Sequence, residues 1–127
     1  MERHVTLLGL LAGLWGALAV VAGVSMLLLS AGAAAEVMDP SSAGVELAAG
    51  VTAGVFALIG GLALAWGGVH LYAAMLLERR RPSGRVLALA LALVNLLVLP
   101  FGTALGIYAL WVLLTNDGRR LFEAARP

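Results

Sequence analysis

The chain has 127 residues, of which 62% are hydrophobic and 12% charged, with a formal net charge of +1. Soluble domains run at roughly 45–50% apolar and about 25% charged, so a mean hydropathy of +1.03 leaves too little polar material to coat a water-facing surface. A soluble enzyme, a disordered tail and a nucleic-acid binder are excluded together, and the absence of cysteine excludes a disulfide framework, a thiolate metal site and a catalytic thiol. The expected solvent is the lipid bilayer, with residues 1–127 forming one integral-membrane domain.

The first apolar run covers residues 5–30, and about 20 residues suffice to cross a hydrocarbon core ~30 Å thick. Glu2-Arg3-His4 and the small residues Ala31 to Ala35 imitate a signal peptide, but the run is about twice the length of a signal's apolar core, so a retained helix is expected. A polar break from Glu36 to Ser42 reads as a turn. The second run, 45–77, carries only Glu46 and is long enough to overhang a bilayer or tilt within it. The charged linker from Glu78 to Arg85 follows, with Pro82 and Ser83 suited to open a helix.

No charge then appears until Asp117, but Pro100 lacks an amide donor, and Pro-Phe-Gly-Thr has the composition of a tight turn. Arginine placement decides between one helix and two. Arg3, the group Arg79, Arg80, Arg81 and Arg85, and the group Arg119, Arg120 and Arg126 fall on one side only if an even number of crossings separates the last two groups. The expectation is an all-α, four-helix transmembrane bundle with helices over 5–30, 45–77, 84–98 and 101–116. It forms a long first and a short second antiparallel hairpin, both termini cytoplasmic. The mismatch in hairpin length predicts a recess on the outer side.

Small residues mark faces where helices approach closely. Gly9 and Gly13 lie on one stripe with Gly16, Ala17 and Gly23; Gly50, Gly54 and Gly61 lie on another with Ala57, Ala65 and Gly68; Gly102 and Gly106 form a third with Ala109. Three Gly-x-x-x-Gly pairs result, expected mainly to pack helices within the chain. The faces opposite the stripes carry His70 and Tyr108, while Asn95 and Thr103 flank the Pro100 turn. These four are the candidate polar site, with His70 and Tyr108 expected to meet, because both lie about eight residues inside their helix ends.

A two-histidine haem is disfavoured because His4 and His70 lie at different depths, and two histidines without an embedded carboxylate cannot enclose zinc. No catalytic residue, cofactor or metal is therefore expected. Arg79, Arg80, Arg81 and Arg85 serve as topology signals and can attract anionic headgroups.

The stretch from Arg85 through Asn95, the Pro100-Phe101-Gly102-Thr103 turn, the Gly106-Ile107-Tyr108-Ala109-Leu110-Trp111 helix and the trailing Arg119-Arg120-Leu121-Phe122 resembles the C-terminal signature of small bacterial multispanning membrane proteins of unknown function. The resemblance covers the last third of the chain and implies a helical hairpin in a bacterial inner membrane, without an activity. The function expected is non-enzymatic: a homo-oligomer, or an accessory subunit packed on another membrane protein through glycine stripes. The alternative is a small oligomeric channel or transporter with His70, Tyr108 and Asn95 along its path.

Overall fold

The computed structural model describes residues 2–38 and 44–123, which form five helices and no strand. They are α1 (Glu2–Val37), α2 (Val45–Glu78), α3 (Pro82–Asn95), α4 (Phe101–Leu114) and α5 (Asn116–Glu123). Of the turn expected over 36–42, Glu36 and Val37 instead end α1, and residues 39–42 lie outside the described residues. α1 runs seven residues past its expected end at 30, because alanine at 31 and 33–35 favours helix and no proline occurs before Pro40. α1 and α2, at 36 and 34 residues, are long and apolar enough to cross a membrane. α3 and α4 have 14 residues each.

The linker folds as its residues dictate. Pro82 is the first helical residue of α3, after Arg81 in an extended conformation. α3 closes at Asn95, three residues early, as Leu97 and Val98 donate to Val94 and Asn95 carbonyls in tightened turns. The Leu99–Pro100 peptide bond is cis, and α4 begins directly after it. α5 was not expected. Thr115 adopts an extended conformation that ends α4, and Gly118 then lies against the Val112 carbonyl while Phe122 is buried.

The chain divides into two compact units whose boundaries fall inside α1 and α2. One unit, Ala17–Gly68, contains parts of α1 and α2 alone. Its tightest contact is between Gly23 and Gly60: a Cβ on either would lie 2.9 Å from the carbonyl oxygen of the other. Only glycine admits this approach. Ser30 Oγ donates across to the Ala53 carbonyl at 2.8 Å. Ser25 and Thr52 instead return to carbonyls four residues back, which satisfies their hydroxyls without a partner helix.

The small-residue stripe expected to pack α2 against the rest of the chain does not do so. Gly54, Gly61 and Gly68 have no atom within 4 Å of a built Cβ, and Gly50 reaches only Val37, at 4.0 Å. Gly60 and Gly61 stand about 100° apart around the helix, so only one can face Gly23; Leu27 closes on Gly60 and Leu64 on Gly23.

The other unit, Met1–Gly16 with Val69–Pro127, holds a core of Val5, Leu8, Leu77, Ala88, Ala92, Ala109, Val112, Leu113 and Phe122. Here the expected glycines do pack. A Cβ on Gly9 or Gly13 would lie at ordinary contact distance from Ala74, and one on Gly9 also from Leu77 and Glu78. A Cβ on Gly106 would fall 2.6 Å from the Ala92 carbonyl oxygen, and one on Gly102 would fall 2.6 Å from Val98 Cβ. These two glycines bring α4 onto α3.

Arg85 has a structural task besides its charge. Its Nε donates to the Leu113 carbonyl at 3.1 Å, capping one of the last carbonyls of α4. Arg85→Ala is expected to destabilise the chain by about 1–2 kcal/mol, read from a denaturant titration, because a partly buried carbonyl loses a charged donor. Arg85→Gln, whose amide can still donate, should recover part of that loss.

Candidate functional site

Two polar groupings stand in the unit built on α3, α4 and α5, one interior and one at its charged end. The interior grouping is His70 with Asn95. Both are buried, at 1% and 3% exposure, and the Asn95 amide nitrogen lies 3.0 Å from His70 Nε2. With the amide donating, Nε2 is the acceptor, and a neutral imidazole then carries its proton on Nδ1. Asn95 Oδ1 is buried and has no hydrogen-bond partner among the described residues. A cavity of about 20 Å³, the size that admits one water molecule, is lined by His70, Asn95, Leu8, Ala12, Leu91 and Leu105 among other apolar side chains. Small neighbours make this packing possible, since Ala73, Ala88, Ala92 and Ala109 leave room for the imidazole and the amide.

The expected meeting of His70 with Tyr108 is not made. Each takes a different partner: His70 binds Asn95, and the Tyr108 hydroxyl lies 3.1 Å from His4 Nδ1. Counting residues from helix ends assumes parallel axes and ignores side-chain reach. The long phenol carries its only polar atom at its tip and can extend toward the charged end. Trp111 completes that cluster, edge-on to His4 at 5.4 Å and tilted against Tyr108 at 6.1 Å. His4 was dismissed as a ligand in the sequence; the signal that could have placed it is the aromatic pair Tyr108 and Trp111, three residues apart on one face of α4. Tyr108→Phe is expected to cost no more than about 0.5 kcal/mol in thermal or denaturant unfolding, because His4 is exposed and water replaces the lost bond.

Thr103 Oγ1 donates to the Leu96 carbonyl at 3.0 Å, tying the start of α4 to the end of α3. It holds the hairpin turn and does not touch His70 or Asn95 through any hydrogen bond.

The charged end gathers Arg3 from the start of α1, Arg79, Arg80 and Arg81 after α2, Arg85 of α3, and Arg119 and Arg120 of α5. Arg80 Nη1 donates to Glu2 Oε1 at 2.9 Å. Glu2 precedes the apolar run that begins at Val5, and the Arg80 hydrogen bond and charge hold its carboxyl below the usual carboxylate range. The chain leaves α2 through a glycine-type cap: Arg80 donates its N–H to Leu77 and Arg81 to Leu76, and Arg80 sits at φ +51.

Among the described residues, no three His, Asp or Glu side chains stand together as a metal group. At Nε2 the partner of His70 is the Asn95 amide, which donates the hydrogen bond. Comparison of the chain with protein-family models, with curated proteins and with solved structures finds no match.

Proposed function

We propose that the protein is a non-enzymatic integral membrane protein that works by helix–helix association, as a homo-oligomer or as an accessory subunit of another membrane protein. In this reading α1 and α2 form a long hairpin and α3 and α4 a short one, together a four-helix bundle in a bacterial inner membrane with both termini cytoplasmic. Seven arginines at one end of one unit support that orientation.

The observation that carries the reading is the bare face of α2. Gly54, Gly61 and Gly68 have open space where a side chain would be, although their spacing suits close backbone approach by another helix. Glycine in a helix costs about 0.5–1 kcal/mol relative to alanine, and these three recover none of it through contacts within the chain. A channel through His70, Tyr108 and Asn95 has less support, because His70 and Asn95 are bonded to each other and Tyr108 to His4.

The test is association in mild detergent or lipid discs, followed by mass and by cross-linking. Gly54→Leu and Gly61→Leu should each reduce the assembled fraction at least severalfold while leaving the monomer's unfolding midpoint level or higher. An assembly untouched by both substitutions, or a wild-type chain that is monomeric and co-purifies with nothing, defeats the reading. Orientation is tested separately with single cysteines at Ser41 and Ser83: an impermeant thiol reagent should label the first and spare the second in intact cells.

A further inference from the structure

We propose that the groove between the start of α1 and the end of α2 binds the phosphate of an anionic phospholipid, with an acyl chain lying along Leu7 and Leu10. The inference rests on the membrane reading above. The groove has a volume of about 470 Å³ and is lined by Glu2, Arg3, Thr6, Leu7, Leu10 and Arg80. Arg3, Thr6, Leu7 and Leu10 recur at i, i+3, i+4 and i+7, so they share one face of α1. Along that face a guanidinium comes first, a hydroxyl about one turn further, then two exposed leucines. A phospholipid has the same gradient from phosphate to glycerol to hydrocarbon. Inorganic phosphate cannot use the leucines, so the lipid is the occupant that fits the whole groove.

Arg80 supplies the independent observation. It holds the left-handed position of the helix cap, at φ +51, where glycine is the ordinary occupant and any other residue carries strain. An arginine there is unfavourable for the backbone, so the reason for it lies in what its side chain reaches, which is Glu2 and the groove. The pair with Glu2 leaves part of the guanidinium fork free, since only Nη1 is engaged. Two guanidiniums against one carboxylate leave the rim positive, and a guanidinium matches phosphate in shape as well as charge.

The purified chain in neutral detergent is titrated with phosphatidylglycerol or phosphatidylcholine, and bound lipid is counted by native mass spectrometry. The wild-type chain should prefer phosphatidylglycerol about fivefold per engaged arginine. Arg3→Gln should lower the preference about fivefold from the wild-type value, and so should Arg80→Gly, which relieves the cap and so keeps the melting temperature level or higher. Arg120→Gln makes the same charge change outside the groove and should keep the preference. A preference retained in both groove variants overturns the proposal, as does one lost equally in Arg120→Gln, which would mean diffuse surface charge. Full competition by millimolar inorganic phosphate overturns the lipid as occupant. Carbonate washing separates this from the wider reading: a chain released from membranes defeats the membrane assignment itself, whereas one retained but without lipid preference defeats only the groove.

Discussion

Gly106→Ala is expected to lower the stability of the chain by about 3 kcal/mol, whereas Gly61→Ala should raise it by about 0.5–1 kcal/mol. Both replace a helical glycine by the best helix former, so propensity alone predicts a gain at both sites. Packing reverses the sign at Gly106. Its added methyl would meet the Ala92 carbonyl oxygen at 2.6 Å and Leu96 at 3.3 Å, and a backbone carbonyl cannot move without shifting α3. At Gly61 nothing lies within 4 Å. Reversible unfolding in mixed micelles, followed by helicity, gives both values. Equal shifts would mean that α4 does not approach α3 through this glycine.

His70→Leu and Asn95→Leu should each cost about 2–3 kcal/mol, while the double replacement should cost clearly less than their sum. Each single change removes half of a buried pair: losing His70 takes the acceptor from the Asn95 amide N–H, and losing Asn95 takes that donor from His70 Nε2. Replacing both removes the polar groups together, which is the cheaper alteration. In the proposed membrane setting such bonds average ~0.6 kcal/mol in coupling and reach ~1.7, so a coupling of about 0.6–1.7 kcal/mol is expected. Strict additivity would show that the two side chains act separately.

The helical elements were readable because hydrophobic run length and proline set them almost alone. The helix expected at 45–77 is observed at Val45–Glu78, and Pro100 separates α3 from α4 as its missing donor requires. Gly9, Gly13, Gly102 and Gly106 were readable as packing residues, since each has a single small-residue stripe on its helix. α2 was not readable in this way. Adjacent glycines at 60 and 61 offer two faces of equal smallness, and the choice rests with Leu27, Leu64 and Gly23, which belong to tertiary packing. The polar pairing failed for a related reason: His70 stands eight residues before Glu78 and Asn95 thirteen after Pro82, an offset of roughly 8 Å in helix rise that counting alone would reject. Helix inclination and side-chain reach span that gap, and neither is written in residue spacing.

The shortness of α3 and α4 bears on how the chain is made. At 14 residues each they rise only about 21 Å, short of the roughly 20-residue length that a single helix needs to cross lipid unaided. In the proposed membrane setting α3 therefore has no stable transmembrane position when it leaves the ribosome alone. It must wait for α4, and the two enter together once Gly102 and Gly106 close the hairpin. Those glycines then govern the timing of insertion as well as the finished packing, so a bulky residue at Gly106 would be met first by the cell's quality control, as chain degraded during synthesis.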